Sequence, residues 1–276
     1  MSDPRIKPRV PKVNPEHPLA KGLVAAYPFF DGGGTDLQDI TARGLSGAVS
    51  GTPEWSQSRY GKALNFDGVG DRVVSSNDAL LNPATAVSVS VWVRANSDWS
   101  LGTAITGIVS KGLFPLPGHT FSLAGDPGWF GPVGEFDFWV FTGAFVSHGV
   151  HSGVVPVPGQ WYHIVGTYGA AGANYKQRIY VDGVLKDEAF PVSALYTMAS
   201  DLDIGHSSYF GGYLDGALAD VRIWNRALLP GEVESLYYDP WSLYRGPEPV
   251  LAGAPGGFFQ FDQLTGGMPD LRGGMV

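Results

Sequence analysis

Apolar and polar residues alternate along much of the chain. The clearest run is VSVSVWVR, residues 87–94, in which four valines share one face while Ser88, Ser90, Trp92 and Arg94 share the other. Successive side chains of a β-strand point to opposite faces, so a strand with one apolar face packs that face against a core. The run therefore predicts a half-buried β-strand.

A β-hairpin is predicted further along the chain. The runs WYHIVGTY (161–168) and RIYVDGVLKD (178–187) are rich in β-branched and aromatic residues, and Asp182-Gly183 interrupts the second one. An Asp-Gly pair between apolar runs is a strong signal of a two-residue hairpin turn. We expect two antiparallel strands joined at residues 182–183.

The remaining elements complete an all-β picture. Strands are predicted at residues 120–123, 136–141 and 145–147, within a segment rich in Gly and Pro. One short helix is predicted for PGEVESLYY, where Pro230 stands at a favourable first-turn position and Glu232 and Glu234 lie near the positive end of the helix. The fold class expected is an all-β, two-sheet antiparallel β-sandwich with one short C-terminal helix and extended terminal arms.

Composition agrees with one large sandwich domain. The 276 residues include 39 Gly and 21 Pro but only 16% charged residues, which suits short strands joined by tight turns. The chain also has 8 Trp, 12 Tyr and 15 Phe, enough to fill a core. Since sandwiches of this length commonly form one domain, we assign residues 19–245 to the sandwich.

The two termini are expected to be arms used in assembly. Residues 1–18 alternate prolines with basic residues, which predicts an extended basic arm, although an ordinary frayed terminus is an equal alternative. Residues 246–276 hold eight Gly and four Pro together with apolar aromatic side chains that need a covering surface. The predicted assembly residues are Arg5, Lys7, Arg9 and Lys12 in the arm and Phe258, Phe259 and Phe261 in the tail.

Charge and cysteine content exclude several function classes. A net charge of −8 is unfavourable for binding nucleic acid, which requires Lys and Arg to neutralise phosphates. With no cysteine there is neither a disulfide nor a thiolate metal site. The first eighteen residues contain no apolar signal core, and no stretch reaches the roughly 20 apolar residues of a membrane span. These features predict folding in a reducing cytoplasm.

Five strings stand in chain order between Gly22 and Arg245. They are GLVAAYPFFDGGGTDLQD (22–39), GKALNFDGVGDRVV (61–74), VSVSVWV (87–93), WYHIVGTY with IYVDGVL, and LDGALADVRIWNRALLPGEVESLY (214–237). Together they resemble the laminin-G-like domain of the concanavalin A-like superfamily, in the form common in bacterial and phage surface proteins. The resemblance implies a jelly-roll sandwich used for binding or assembly.

Calcium is one cofactor that acidic turns could hold, since this hard cation takes several oxygen ligands. The candidate ligands are Asp31, Asp36, Asp39, Asp67 and Asp71. Capping of the turns by the same carboxylates is the alternative. Relatives carry an acidic pair where this chain has Ala219 and Asp220, and an Asp where it has Gly169, which weighs against a calcium site of the family type. No other cofactor is expected.

Catalytic chemistry finds little support in the sequence. Glycoside hydrolases of the same superfamily carry three acids on one strand, and here Glu135 and Asp137 share a strand face but Trp139 and Val140 stand where the third acid would fall. A histidine metal cluster is also disfavoured, because His148 and His151 are expected in a Gly-rich loop and His163 in a strand. We predict no catalytic residue.

The other candidate ligand-binding residues are aromatic side chains expected in loops that could stack on sugars: Trp99, Trp129, Phe130 and Tyr209.

The function expected from the sequence is that of a non-catalytic virion structural protein, a bacteriophage capsid decoration or tail-associated subunit assembled in the host cytoplasm. The family is typical of outer surfaces, yet this chain is expected to fold in the cytoplasm. A phage protein meets both conditions, because phage particles assemble in the cytoplasm and leave the cell by lysis. Its expected partners are other virion proteins, above all the major capsid protein, and further copies of itself, with a trimer as one option. A carbohydrate-binding adhesion module is the first alternative and a polysaccharide-cleaving hydrolase the second. Nucleic acid and membrane are not expected as partners.

Overall fold

The computed structural model describes residues 7–8, 11–58, 60–102, 105–112, 119–128, 131, 133–143, 146–172, 174–191 and 193–245. Within them the chain forms sixteen strands and one α-helix, α1 (Pro230–Tyr238). The strands are β1 (Leu23–Tyr27), β2 (Asp36–Leu37), β3 (Gly47–Ser50), β4 (Glu54–Ser58), β5 (Gly61–Asp67), β6 (Arg72–Ser75), β7 (Val87–Ala95), β8 (Thr106–Gly112), β9 (His119–Gly125), β10 (Phe136–Gly143), β11 (Val146–His151), β12 (Trp161–Ala171), β13 (Asn174–Val181), β14 (Val184–Ala189), β15 (Leu202–Ile204) and β16 (Asp215–Trp224).

Two antiparallel sheets form the predicted sandwich. The first sheet has the order β14-β13-β12-β7-β16-β5-β4, with β1 also paired to β16, and the second has the order β11-β10-β9-β8-β15-β6-β3-β2. Apolar residues of both sheets, among them Val89 and Val91 of β7 and Phe138 of β10, form one buried core. Among the described residues, no helix is long and apolar enough to span a bilayer.

The predicted hairpin and helix are both present. β13 and β14 pair with Val181 opposite Val184, and the turn residues Asp182 and Gly183 have φ angles of 52° and 79°. Positive φ at both central positions is the geometry of a type I′ turn, which Asp-Gly favours. Glu232 closes the first turn of α1, since its carboxylate accepts the backbone N–H of Leu229 at 2.8 Å.

The strand predicted at residues 87–94 is confirmed as β7, but the prediction that it is only half-buried was wrong. Ser88, Ser90 and Trp92, on the face expected to meet solvent, are all buried. A second apolar cluster covers that face, built from the N-terminal segment, α1 and the residues after it. Ser88 is satisfied there, because its Oγ donates to the carbonyl of Arg226 at 2.8 Å.

Lys7, expected to be an assembly residue of an extended basic arm, instead lies against the sandwich domain. Its ammonium group donates hydrogen bonds to four backbone carbonyls, those of Pro28, Phe29, Lys62 and Ala219. The arm stays on the domain further along as well, since the N–H of Asn14 donates to the carbonyl of Leu243 at 2.8 Å. Lys12 is exposed. Arg5, Arg9, Phe258, Phe259 and Phe261 lie outside the described residues.

Candidate functional site

A cavity of about 390 Å³ opens on the outer side of the first sheet. We call it the aromatic cavity, because four of its lining residues carry aromatic rings. Its lining residues are Tyr60, Trp92, Gly159, Gln160, Trp161, Asp182 and Tyr237.

Turns and element ends bring these residues together. Trp161 is the first residue of β12, which lies beside β7, the strand that carries Trp92. Tyr60 belongs to the turn between β4 and β5, Asp182 to the hairpin turn after β13, and Tyr237 to the last turn of α1. Side chains at turns and strand ends, held by a rigid sheet, are the usual place for a binding site.

The rings form a packed floor and more open walls. The ring centroids of Tyr60 and Trp92 lie 4.0 Å apart, and Trp92 stacks on Tyr237 at 5.9 Å with an angle of 21° between the ring planes. Trp161 stands edge-on to Tyr60 at 6.2 Å and 80°. Trp92 and Tyr60 are buried, with 1% and 4% of their surfaces exposed, whereas Trp161 and Tyr237 are half-buried.

Polar groups surround and underlie the rings. Gln160 is exposed at the rim, and Asp182 is held in place because its Oδ1 accepts the backbone N–H of His163 at 2.8 Å. Beneath the floor His163 is neutral, since burial lowers its pKa to about 3. Nε1 of Trp92 is buried with no hydrogen-bond partner among the described residues. The cavity can hold a small ring that has both C–H faces and hydroxyl groups.

The aromatic residues predicted from the sequence lie elsewhere. Trp99 is 4% exposed and packs edge-on against Phe136 in the core, so the prediction that it stacks on a ligand was wrong. Tyr209 is partly exposed and lies against Phe141, with ring centroids 5.7 Å apart. Trp129 and Phe130 lie outside the described residues.

Glu135 and Asp137 are close together but closed to a substrate. They are 1% and 0% exposed, and Glu135 accepts the backbone N–H of Gly153. A retaining hydrolase needs both carboxyl groups at the scissile bond, about 5–5.5 Å apart. These two carboxyl groups have no such access to a sugar.

Two of the three histidines are placed differently from the prediction. His148 and His151 belong to β11, which runs to His151 because it pairs with β10 along its whole length, so their assignment to a loop was wrong. His163 lies in β12 as predicted, in the other sheet. His151 instead pairs with Asp137, its Nδ1 lying 3.0 Å from Oδ1 of that residue.

The acidic turns proposed for calcium carry hydrogen bonds within the fold. Asp39 is buried, and its Oδ1 accepts the backbone N–H groups of Ala26 at 2.9 Å and Thr41 at 3.0 Å. Asp31 accepts the N–H of Gln38 at 3.4 Å. Burial raises the pKa of Asp31, while its hydrogen bond from Gln38 opposes that rise.

The carboxylates of the second acidic turn, Asp67 and Asp71, likewise accept backbone N–H groups. Oδ1 of Asp67 accepts the N–H of Val69 at 2.8 Å, and Oδ1 of Asp71 accepts that of Thr52 at 2.7 Å. The backbone N–H groups hold the pKa of Asp67 below its usual value. Turn-capping, the alternative role, accounts for these carboxylates.

Sequence reasoning missed Trp161 and Tyr237 as residues that line a cavity. Both stand in runs that predict a strand or a helix, WYHIVGTY and PGEVESLYY, and were assigned to those elements alone. One signal was present: Trp161 follows the turn residues Pro158-Gly159, at a strand end where an aromatic side chain is not fully covered. The other cavity residues come from distant parts of the chain, so no local pattern unites them.

Solved structures share this fold at low sequence identity. Domain 4 of AbnA, an extracellular GH43 arabinanase from Geobacillus stearothermophilus solved with arabinotriose, matches with a TM-score of 0.60 and 21% identity over 78% of this chain and 98% of that one. The binding domain of Paraclostridial Mosquitocidal Protein 1 matches with a TM-score of 0.61 and 13% identity, over 79% of this chain and 52% of the toxin domain. Trypanosoma rangeli sialidase with the inhibitor DANA matches with a TM-score of 0.55 and 17% identity, over 81% of this chain and 34% of the enzyme.

These likenesses concern the fold, which both enzymes and binding domains use. The search of curated proteins gave no match. A family model described as the concanavalin A-like lectin/glucanases superfamily matches residues 67–234, more than half of the chain. The match runs from β6 to the first half of α1 and thus includes strands of both sheets. This chain belongs to the concanavalin A-like lectin/glucanase superfamily, in its laminin-G-like branch.

Proposed function

We propose that this chain is a non-catalytic carbohydrate-binding module that takes a sugar into the aromatic cavity. The observation that carries the proposal is the joining of two partly open rings, Trp161 and Tyr237, with the polar side chains of Gln160 and Asp182 around one cavity. A pyranose or furanose has an apolar C–H face that stacks on an aromatic ring and hydroxyl groups that bind amides and carboxylates. The cavity supplies both kinds of contact.

The comparison with domain 4 of AbnA adds a substrate class to the proposal. That domain is similar to this chain over nearly its whole length and was solved with a trisaccharide. An arabinan is therefore the first ligand to try, beside other soluble polysaccharides. The closed positions of Glu135 and Asp137 support a role in binding rather than in cleavage.

Affinity electrophoresis against a panel of polysaccharides, followed by calorimetry with the ligand that retards the protein, tests the proposal. Truncating a central aromatic contact typically costs about 2 kcal/mol or more, so Trp161→Ala should weaken binding by roughly thirtyfold. Tyr209→Ala, in the turn between β15 and β16 beside the second sheet, is the matched control and should bind as the wild type does. The proposal fails if no polysaccharide binds, or if Trp161→Ala binds as tightly as the wild type.

A reducing-sugar assay separates the binding module from an enzyme. We expect no release of sugar above background from any polysaccharide that the protein binds. Turnover that disappears in Glu135→Gln would instead make the chain a hydrolase.

A virion role is the second candidate, and it rests on the sequence. The favouring observation is the tail 246–276, in which Phe258, Phe259 and Phe261 stand among eight glycines and require a covering surface. We propose that this tail attaches the domain to neighbouring capsid or tail proteins. Deleting residues 246–276 should leave the sandwich folded and weaken attachment to particles. Genes for polysaccharide-degrading enzymes beside this one, rather than genes for capsid or tail proteins, would contradict the virion role.

A further inference from the structure

The ammonium group of Lys7 occupies a socket built from backbone carbonyls. The acceptors are the carbonyls of Pro28, Phe29, Lys62 and Ala219, and the last three oxygens lie 3.3, 2.9 and 3.2 Å from Nζ. Pro28 and Phe29 follow β1, whereas Lys62 belongs to β5 and Ala219 to β16. One side chain therefore ties together three strands of the first sheet. We call these four carbonyls the ammonium socket.

The ammonium socket holds its cation without a bonded carboxylate among the described residues. The ring of Trp241 lies 5.0 Å from Nζ of Lys7, within the range of a cation–π contact. Asp220, the carboxylate whose charge most favours the ammonium form, is already bound by Arg222 at 2.8 Å. The other charged groups that act on Nζ are Arg222, Asp31 and Lys62. Enclosing a charge in this way is costly, and residues that carry such a cost are expected at functional sites.

The backbone of the ammonium socket is strained at Phe29. Its φ angle is 53°, in the left-handed region that a bulky side chain rarely adopts. The side chain is fully buried, and its ring meets that of Trp55 edge-on at 6.4 Å. Such strain persists only where the surrounding structure holds it, commonly at a site that clamps a ligand. Here the ligand in the clamp is the ammonium group of Lys7.

The stem of Lys7 borders the turn that carries Tyr60. A Cβ built on Gly61 would lie 2.9 Å from Cδ of Lys7, so the stem passes directly over this turn. Tyr60 stands just before Gly61, and its ring centroid lies 4.0 Å from that of Trp92 and 6.2 Å from that of Trp161. A displacement of the turn therefore moves a ring in the floor of the aromatic cavity.

We propose that the ammonium socket is a site for a primary alkylammonium group, which the chain fills with its own Lys7, and that the filled socket fixes Tyr60 in the aromatic cavity. Lys7 is a positioning residue in this scheme, since it acts on a bound sugar only through Tyr60. The consequence for sugar binding rests on the proposed function. The link between Lys7 and the cavity exists without a sugar, and it is tested without one.

Chemical rescue of Lys7→Ala by n-propylammonium chloride tests the socket. The substitution removes three methylene groups and the ammonium group, and n-propylammonium has the same length. At about pH 6, below the pKa of about 7 that burial gives Lys7, both amines are charged. In nuclear magnetic resonance spectra of the full chain, the indole N–H signals of Trp92 and Trp161 should move in Lys7→Ala. They should return towards their wild-type positions as n-propylammonium saturates the socket.

Two controls separate the ammonium group from nonspecific effects. 1-Propanol has the length of n-propylammonium without its charge, so it should not restore the indole signals of Lys7→Ala. Lys12→Ala changes an exposed lysine of the same N-terminal segment and should leave both indole signals in place.

Sugar affinity gives a second measurement, with arabinotriose as the probe. Residues that act on a ligand through a neighbour typically change its affinity by about 2–30-fold, so Lys7→Ala should bind that much more weakly in calorimetry than the wild type. n-Propylammonium should restore the affinity. If the wild type does not bind arabinotriose, the proposed function loses its first ligand, while the indole signals still decide the role of Lys7.

Three results would overturn the proposal. They are indole signals of Trp92 and Trp161 that are the same in folded Lys7→Ala as in the wild type, restoration by n-propylammonium no greater than by 1-propanol, and wild-type affinity of Lys7→Ala for a sugar that the wild type binds. Circular dichroism checks that the variant is folded. If it is not, a pH titration of the ¹⁵N-labelled wild type decides, since the Nζ signal of Lys7 and the indole signal of Trp92 should move with one midpoint. An indole signal that stays constant while Nζ titrates would contradict the link.

Discussion

The Asp220 carboxylate lies 2.8 Å from Nε of Arg222, and both side chains are buried. The guanidinium also lies over the ring of Tyr244, with 4.6 Å from Cζ to the ring centroid. Successive even-numbered residues of β16 share one face, so Asp220 and Arg222 lie together on the outer face of the first sheet. The segments that cover this face therefore enclose an ion pair as well as apolar side chains.

Breaking this ion pair should destabilise the protein strongly. Asp220→Asn leaves a buried guanidinium without its counter-charge, and removing one partner of a buried pair costs about 3–5 kcal/mol in the free energy of unfolding. Urea denaturation measures the loss. Glu188→Gln, which breaks the exposed pair between Glu188 and Arg178, is the control and should barely move the midpoint. An Asp220→Asn protein as stable as the wild type would contradict this account.

The buried Lys7 should make stability depend on pH. Burial lowers its pKa from 10.5 to about 7 in the folded protein. Between these values the unfolded chain binds more protons than the folded one, so this contribution to the free energy of unfolding rises with pH, by at most about 1.4 kcal/mol per pH unit. Below about pH 7 the full penalty of charging Lys7 is present.

Denaturation of Lys7→Met and the wild type at several pH values isolates this contribution. The wild type should gain stability relative to Lys7→Met as the pH rises from 7 to 10. Lys12→Met changes an exposed lysine in the same arm and should show no such trend. A constant difference between wild type and Lys7→Met from pH 7 to 10 would mean that Lys7 is not held in the interior.

The spacing of the two sheets depends on Gly166 in the middle of β12. A Cβ built on Gly166 would lie 2.3 Å from the ring of Phe138 on the facing sheet. Overpacking of this kind costs about 1–3 kcal/mol, so we expect Gly166→Ala to lower the free energy of unfolding by that amount. Gly33→Ala is the control, because nothing lies within 4 Å of its Cβ position. Equal stabilities of the two variants would show that the sheets are less closely packed than described.

The sandwich was predictable because its signals are local. The alternation in β7, the Asp182-Gly183 turn and the Pro230 helix start each lie within a few residues, and each corresponds to an observed element. Burial of the second face of β7 was not predictable, because the segments that cover it come from both ends of the domain. Local alternation gives the faces of a strand but does not tell how many of them are covered.

The candidate sites were predictable only in part, for the same reason. Glu135 and Asp137 stand out as a pair in the sequence, but their partner His151 depends on the register between β10 and β11. The aromatic cavity joins Tyr60, Trp161 and Tyr237, which are remote in sequence. An aromatic side chain in a sequence predicts neither exposure nor burial, as the core position of Trp99 illustrates.

Trp99 should matter for stability and not for sugar binding. Its ring is buried, and its Nε1 donates to the carbonyl of Asp215 at 3.3 Å. Trp99→Ala should cost about 3–5 kcal/mol in the free energy of unfolding, as for other large core residues. Trp99→Phe retains more of the volume, and in calorimetry it should bind polysaccharide with the affinity of the wild type. A folded Trp99→Phe protein that loses sugar binding would restore Trp99 as a ligand contact.

Nuclear magnetic resonance titration of ¹⁵N-labelled protein with the oligosaccharide that it binds tests the central claim most directly. The indole N–H signal of Trp161 and the backbone signals of Gln160 and Tyr237 should move together and saturate with one affinity, while the indole of Trp139 on the other sheet stays in place. Shifts that centre on Trp139 and Tyr209 and leave Trp161 unchanged would contradict the assignment of the aromatic cavity as the sugar site.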